Sequence, residues 1–337
     1  MIEERCLYKV SVRCMTYNQS LYIEDAMNGF CMQQTSFPFV CAIVDDASTD
    51  GEQDVLRDYL QKHFSLDDKT FSRNEETEDY YLTFAQHKEN KNCFFAVFFL
   101  KYNHYNKKDS IPYLIEFTKA SKYIAYCEGD DFWIDYHKLQ RQVFFLDRHP
   151  DYTLFFHNAL VRYDGQNKAD IILSQFKSGD FDTALLFEKW QLPLASVVMR
   201  KEVYDSPILE ELWKTYRGGF GYFITATMMG KVYGLSECLS VYRKNNGGVS
   251  NGISITDVLY NHYGYAKVTN DSKVMKVVDN EAYRKLQFLI PLCIIGNKDA
   301  LKGIKLVYLN NKWVVFKAAL ATPFSLISRL FTKYWNK

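Results

Sequence analysis

The sequence predicts an α/β fold in which a mostly parallel, Rossmann-like sheet is flanked by helices. The first observation is the alternation of strand-like and helix-like segments along residues 9–64. The second is that PFVCAIV and FFAVFFL are apolar at every position, which is typical of strands covered on both faces. The third is that polar clusters directly follow strand-like runs, at the edge where such sheets bind ligands.

The first four elements give this alternation. Residues 9–15, KVSVRCM, predict a strand, and Ser20 to Gln34 predict a helix behind a Ser20 cap because apolar residues recur at helical spacing. PFVCAIV predicts a second strand that ends at Asp45 and Asp46. ASTDGEQDVLRDYLQKHF predicts a second helix, which opens with a capping box from Thr49 to Glu52.

The later elements continue the pattern less regularly. Residues 65–92 are polar and acid-rich and predict a loop with a surface helix, whereas FFAVFFL at 94–100 predicts a buried strand. YIAY predicts a strand, DYHKLQRQVFFLDRHP a helix, and TLFFHNALV and LASVVMR further strands. From about residue 250 apolar and basic segments mix, so we expect a domain over residues 1–250 and a mainly helical, basic C-terminal extension over 251–337.

The composition restricts the class of protein. With 47% hydrophobic and 24% charged residues the chain is globular, and its net charge of +1 provides no field for a polyanion, so we expect no nucleic-acid partner. The eight cysteines form no CxxC pair and predict buried free thiols in a reducing compartment. The N-terminal residues lack the order of a signal peptide, and no apolar run is long enough to span a bilayer, so we expect a cytoplasmic protein.

The stretch YCEGDDFWID places three carboxylates, Glu128, Asp130 and Asp131, within four positions after the apolar run YIAY. Carboxylates this close repel one another and raise one another's pKa unless a cation compensates them. Mg²⁺ or Mn²⁺ suits such oxygen ligands, because these ions take one or two carboxylates and complete their coordination with water and phosphate. The alternative is that the acidic residues only cap the following turn.

Two more polar clusters follow strands: Thr16, Tyr17 and Asn18 after the first strand, and Asp45 with Asp46 after the second. In a parallel sheet the three clusters lie at one edge, which favours a ligand site there. The chain contains neither a GxGxxG motif nor a Walker lysine loop, so the sequence does not support a dinucleotide or P-loop site.

Three segments together resemble bacterial family 2 glycosyltransferases of the GT-A fold. They are VSVRCMTYNQSLYIEDAMNGFCMQQTSFPFVCAIVDDASTDG, SKYIAYCEGDDFWIDYHKLQRQVFFLDRHPDY and GKVYGLSECLSVYRKNNGGVS, within residues 8–250. The resemblance implies a GT-A nucleotide-sugar transferase domain. It implies that Tyr17, between Thr16 and Asn18, stacks on the nucleotide base and that Asp46 accepts a hydrogen bond from the uracil imide.

The resemblance also assigns the acidic cluster. Glu128, Asp130 and Asp131 correspond to the DXD-like element, with Asp131 as the direct ligand of Mn²⁺ or Mg²⁺, Glu128 as a second ligand and Asp130 as part of the cofactor site. The metal bridges the diphosphate of the UDP-sugar and offsets the charge that develops as the nucleoside diphosphate leaves.

Two positions depart from the family pattern. The aspartate that acts as catalytic base in inverting members is expected near Gly219 or Phe220, and neither residue can take a proton. Asn245 stands where related sequences often have histidine. Carboxylates upstream, at Asp205, Glu210 and Glu211, are alternative candidates, so the catalytic base stays unidentified.

The leading hypothesis is a metal-dependent, inverting transferase that moves a hexose or N-acetylhexosamine from a UDP-sugar to a surface-glycan or lipid-linked glycan acceptor. One alternative is a non-catalytic nucleotide-sugar binding homologue in a glycan assembly complex; another is a nucleotidyltransferase. The C-terminal segment FKAALATPFSLISRLFTKYWNK mixes apolar and basic residues, so we expect peripheral contact with the inner face of a membrane, with a packing helix as the alternative.

Overall fold

The computed structural model describes residues 7–104, 112–188, 192–215, 219–245 and 254–322. Its strands are β1 (Tyr8–Thr16), β2 (Phe39–Asp45), β3 (Ser72–Glu76), β4 (Tyr80–Gln86), β5 (Cys93–Leu100), β6 (Ser121–Tyr126), β7 (Phe132–Trp133), β8 (Tyr152–Tyr163), β9 (Ile171–Ile172), β10 (Gly179–Asp180), β11 (Val198–Arg200) and β12 (Lys231–Lys244). Its helices are α1 (Ile23–Cys31), α2 (Glu52–His63), α3 (Pro112–Lys119), α4 (Lys138–Arg148), α5 (Lys201–Tyr204), α6 (Pro207–Thr215), α7 (Phe220–Met229), α8 (Ile255–Thr269), α9 (Ser272–Ile294), α10 (Lys298–Asn310) and α11 (Lys312–Ala321). Short 3-10 helices span Thr183–Phe187 and Leu194–Ser196.

Ten of the described strands form one mixed sheet in the order β10-β12-β8-β11-β6-β1-β2-β5-β4-β3, and β7 joins it beside β12 and β9 beside β8. The central strands β6, β1, β2 and β5 are parallel, and β2 and β5 are buried at every residue, as their apolar sequences predict. Antiparallel strands flank this centre on both sides. The predicted fold class, a sheet with a parallel centre flanked by helices and followed by a helical C-terminal segment, is confirmed.

The strand register brings the carboxyl ends of the central strands together. Thr16 pairs with Asp45 at the ends of β1 and β2, and Arg13 pairs with Tyr126 at the end of β6. The loops that follow these three strands therefore begin side by side at one edge of the sheet.

Three local predictions are wrong. Helix α1 starts at Ile23 without a side-chain cap, and the Ser20 amide instead donates to Asp50. Helix α2 follows Gly51, which adopts a positive φ of 91°, so the Thr49–Glu52 capping box does not form. Within residues 65–92 the structure has the hairpin β3–β4, whose aromatic residues pair with β5, and not a surface helix.

The chain forms two compact units. The first comprises Met1–Phe181, Gln191–Ser206 and Met229–Asn245 and contains the sheet. The second comprises Asp182–Trp190, Pro207–Met228 and Asn246–Lys337, so two segments from before residue 250 group with the C-terminal helices. The domain boundary at residue 250 stays a prediction.

In the second unit, the described helices α8 to α11 pack on one another around apolar residues, with the capping box of Ser254 and Asp257 at the start of α8. Most of the segment for which membrane contact is predicted, residues 323–337, lies outside the described residues. None of the described helices combines the length and the apolar character needed to cross a bilayer. The seven cysteines from Cys14 to Cys293, all within the described ranges, are free thiols.

Candidate functional site

The three polar clusters predicted from sequence meet around Thr16. The amide of Asp46 donates to the carbonyl of Thr16 (3.0 Å), and the amide of Gly129 donates to the carbonyl of Met15 (3.2 Å). A methyl group on Gly129 would lie 2.3 Å from Oγ1 of Thr16, so only glycine permits this close approach. We call the loops joined here, residues 16–18, 45–52, 103–104 and 128–131, the strand-end site.

The loops after β1 and β2 bind each other through side chains. The Asn18 amide donates to Oγ of Ser48 (2.8 Å), and the Thr49 amide donates to Oδ1 of Asn18 (2.8 Å). Asn18 and Ala47 both adopt positive φ values, 55° and 60°, which few non-glycine residues do. Such strained residues persist where the surrounding contacts fix them, often at functional sites.

Glu52 is the centre of these contacts and is fully buried. Its carboxylate accepts hydrogen bonds from the Thr16 hydroxyl, the Gln19 amide (2.8 Å) and the Ser48 hydroxyl (2.8 Å). Burial raises the pKa of Glu52, and these three donors oppose the shift. Sequence reasoning assigned Glu52 to a helix cap; its position at the end of the loop that follows the second strand is the signal that could have placed it in the site.

Asp46 is buried and is held by residues that follow β5. The His104 amide donates to Oδ1 of Asp46 (2.7 Å), the His104 ring nitrogen Nδ1 lies 3.6 Å from the same oxygen, and the Asn103 side chain donates to the Asp46 carbonyl (3.0 Å). Sequence analysis missed Asn103 and His104. They follow β5, another of the parallel strands, so the rule that located the other clusters applies to them as well.

Tyr17 has a different environment from its neighbours. Its side chain is 46% exposed, whereas Thr16 is buried. An exposed aromatic ring at a strand end offers a flat surface on which a planar base can stack.

The acidic cluster places three carboxylates close together. Burial and the neighbouring Asp130 charge raise the pKa of Glu128 to about 7. Glu128 is nevertheless solvent-exposed, so water screens part of this effect. Burial also raises the pKa of Asp130, and that of Asp131 well above its usual range.

Asp130 and Asp131 differ in their availability. Asp131 is 4% exposed, and its Oδ1 accepts the backbone amide of Arg243 (2.8 Å). Asp130 is only partly buried, and its Oδ2 accepts the side-chain amide of Asn245 (2.9 Å). Both carboxylates therefore have a hydrogen-bond partner, but only Asp130 is also appreciably accessible to solvent.

Arg243 supplies positive charge behind the cluster. It is buried, donates to Oδ2 of Asp25 (2.7 Å), and lies over the rings of Tyr22 (4.6 Å) and Phe132 (5.1 Å). Its positive charge lowers the pKa of both Asp130 and Asp131 and so opposes the increase that burial causes. Arg243 was not singled out from the sequence, because it lies far along the chain at the end of β12.

The carboxylates fit a cation only in a restricted way. Within the described ranges, no three His, Cys, Asp or Glu side chains gather into a group that could hold a metal ion. Two mutually repelling carboxylates, Glu128 and Asp130, nevertheless match the one or two that Mg²⁺ or Mn²⁺ takes when a diphosphate and water supply the other oxygens. The residues fit a metal shared with a ligand, not a metal enclosed by protein.

The expected position of the catalytic base belongs to the second unit. Gly219 precedes α7, and its carbonyl accepts the Tyr222 amide (3.2 Å). Phe220 packs against the rings of Phe187 and His262. Of the alternative carboxylates, Asp205 follows α5 in the first unit, and Glu210 and Glu211 lie on α6 in the second.

Comparison with known proteins supports the fold. No protein-family model matches the chain. The uncharacterized protein Rv1520 of Mycobacterium tuberculosis and the uncharacterized protein Mb1547 of Mycobacterium bovis are each 28% identical to it over 247 residues, which is 71% of this chain. The chain covers only 60% of the length of these relatives.

Solved structures with the same fold include residues 1–349 of S. aureus TarS in complex with UDP-GlcNAc, with a TM-score of 0.56 at 14% identity over 88% of this chain and 79% of that chain. The same TarS fragment in complex with UDP gives a TM-score of 0.54 at 14% identity, over 98% of this chain and 92% of that one. At this identity the similarity shows the fold alone, and the fold is that of the GT-A glycosyltransferases.

Proposed function

We propose that this protein is a glycosyltransferase whose donor, a UDP-sugar, binds at the strand-end site. The observation that carries the proposal is the close approach of Gly129 to Thr16, which joins an exposed aromatic ring, a held aspartate and a carboxylate cluster at one edge of a GT-A sheet. Membership of family 2 and an inverting mechanism are part of the proposal and rest on the sequence resemblance.

Each residue has a role in this proposal. Tyr17 stacks on the base. Asp46 accepts a hydrogen bond from the uracil imide, and the His104 amide holds the Asp46 carboxylate in place for this contact. Glu128 and Asp130 face the diphosphate and hold Mn²⁺ or Mg²⁺, which when bound offsets the negative charge of the leaving nucleoside diphosphate. This assignment moves the direct ligand from Asp131 to Asp130, because Asp131 is buried and bound to the Arg243 amide.

The acceptor we propose is a surface glycan or a lipid-linked glycan, with hexose or N-acetylhexosamine as the transferred sugar. The resemblance to bacterial glycan-assembling transferases motivates this part. The binding of UDP-GlcNAc by TarS is compatible with an N-acetylhexosamine donor.

Calorimetric titration of UDP tests the donor site. We expect binding with Mn²⁺ or Mg²⁺ that weakens at least about tenfold with EDTA, with Glu128→Gln or with Asp130→Asn. The control Asp67→Asn removes an exposed carboxylate elsewhere in the same unit and should change nothing. Wild-type protein that does not bind UDP in the presence of either metal would overturn the proposal.

A second candidate function is nucleotide-sugar binding without transfer. Two observations favour it: glycine at position 219, where a base is expected, and the contact of Asn245 with Asp130. Incubation with UDP-sugars and glycan acceptors separates the two functions, because the transferase releases UDP together with a glycosylated product. Binding without product from any acceptor would support the second function, and release of diphosphate from UTP would indicate a nucleotidyltransferase.

A further inference from the structure

Helix α11 in the second unit exposes large apolar side chains. Trp313 is 70% exposed, Phe316 55% and Leu320 73%. Together with Lys317 they occupy positions i, i+3, i+4 and i+7, so they form one stripe along the helix. We call these four residues the α11 stripe.

The opposite side of the same helix is already packed. Val314 and Ala318 are buried, and the carbonyl of Ala318 accepts a hydrogen bond from the side chain of Gln287 on α9 (3.3 Å). A surface helix normally buries its apolar face and presents polar residues outward. Helix α11 is apolar on both sides, and among the described residues nothing covers the stripe.

Helices α10 and α11 carry almost only positive charge, although Asp279 of α9 accepts a hydrogen bond from the side chain of Asn311 at the start of α11. From position 298 to position 322 the only acidic residue is Asp299, and the basic residues are Lys298, Lys302, Lys305, Lys312 and Lys317, all exposed. Helix α10 adds the exposed apolar residues Tyr308 and Leu309 at the end that leads into α11. The surface therefore combines apolar area, an exposed tryptophan and positive charge.

We propose that the α11 stripe docks on the surface of a bilayer that contains anionic phospholipids. Tryptophan and phenylalanine partition into the headgroup region, and lysine can extend its ammonium group to lipid phosphates while its methylene chain stays in apolar surroundings. A lipid surface suits a stripe of this kind better than an acidic protein groove does. The apolar side chains project from a convex helix, and a fluid lipid surface can accommodate them without a cavity of matching shape. The helix lies on the membrane and does not cross it, in keeping with its length of 10 residues.

Cosedimentation with lipid vesicles tests the docking surface in the full chain. The protein should sediment with vesicles of phosphatidylcholine mixed with phosphatidylglycerol, less with phosphatidylcholine alone, and less as salt increases. The double variant Phe316→Gln/Leu320→Gln should reduce the vesicle-bound fraction at least about fivefold, since two apolar side chains no longer enter the lipid. Lys312→Gln/Lys317→Gln should weaken binding only to the anionic vesicles.

Matched controls exist in the first unit. Ile171→Gln/Ile172→Gln replaces two exposed apolar residues and Lys62→Gln/Lys69→Gln two exposed lysines, and neither should change vesicle binding.

No cosedimentation of the wild type, or equal loss in the control and α11 variants, would overturn the proposal. A change of molar mass in Phe316→Gln/Leu320→Gln without vesicle binding would show instead that the stripe joins copies of the chain. No nucleotide sugar is present, so the result is independent of the proposed sugar transfer.

Discussion

The two halves of the strand-end site differ in how their carboxylates are satisfied. On the nucleotide side, which comprises residues 16–18 and 45–52, Glu52 and Asp46 accept hydrogen bonds from hydroxyl and amide groups of neighbouring loops. On the acidic side, residues 128–131, no described protein group donates a hydrogen bond to the Glu128 carboxylate, whose pKa is raised to about 7. Glu52 and Asp46 are therefore satisfied without a ligand, although Oδ2 of Asp45 beside them is buried without a described hydrogen-bond partner. Glu128 instead retains charge that a cation would offset.

The largest effect on stability should come from a substitution on the nucleotide side. Glu52→Ala leaves the Gln19 amide and two hydroxyl groups without their acceptor in a buried place, so we expect the free energy of unfolding to fall by about 3 kcal/mol. Urea unfolding measures the loss. Glu24→Ala removes an exposed carboxylate on α1 and should change stability by less than about 0.5 kcal/mol. Equal stability of the two variants would show that the Glu52 contacts do not hold the loops.

Asp130 and Asp131 differ from each other within the acidic side. Asp131→Ala leaves the buried Arg243 amide unpaired and should lower the free energy of unfolding by about 2 kcal/mol, while Asp130→Ala should leave stability nearly unchanged. Metal-dependent UDP binding should show the reverse order, with the larger loss in Asp130→Ala. If Asp131→Ala lost metal-dependent binding and kept its stability, Asp131 would be the direct ligand, as the sequence resemblance implies.

The parts of this site that sequence predicted are those carried by local patterns. Apolar runs located β1, β2 and β6, and the polar residues at their ends followed from topology. Arg243 and Asn245 could not be placed in the same way, because they reach Asp131 and Asp130 across more than a hundred residues of chain. The hairpin β3–β4 was missed since its polar, acidic residues at 72–76 lie at the sheet edge, where only tertiary pairing makes them a strand.

Tyr17 tests whether the nucleotide side binds a base. Its ring is exposed, so Tyr17→Ala should leave the free energy of unfolding at the wild-type value. The variant should bind UDP about tenfold more weakly, because the stacking on the base is lost. Tyr136→Ala, which removes another exposed ring in the same unit, is the matched control. Calorimetry with UDP and with ribose 5-phosphate separates base stacking from phosphate binding, and equal losses for both ligands would argue against stacking.

The smallest effect concerns the unsatisfied charge itself. The pKa of Glu128 is about 7 in the folded chain and about 4.3 when unfolded, so between these values the folded state binds more protons. The free energy of unfolding should therefore fall as pH rises through this window. Because Glu128 is partly exposed, solvent screening limits the fall to about 1 kcal/mol. Glu128→Gln cannot titrate, so it should match the wild type near pH 4 and exceed it in stability near pH 8.

Urea unfolding at both pH values, with the exposed Glu89→Gln as control, measures this difference. Divalent cation together with UDP should remove the advantage of Glu128→Gln near pH 8, because bound cation stabilises the ionised carboxylate only in the wild type. A variant that kept the wild-type pH dependence would mean that Glu128 does not carry the unsatisfied charge. The physical reason for placing a cation beside Glu128 would then be lost.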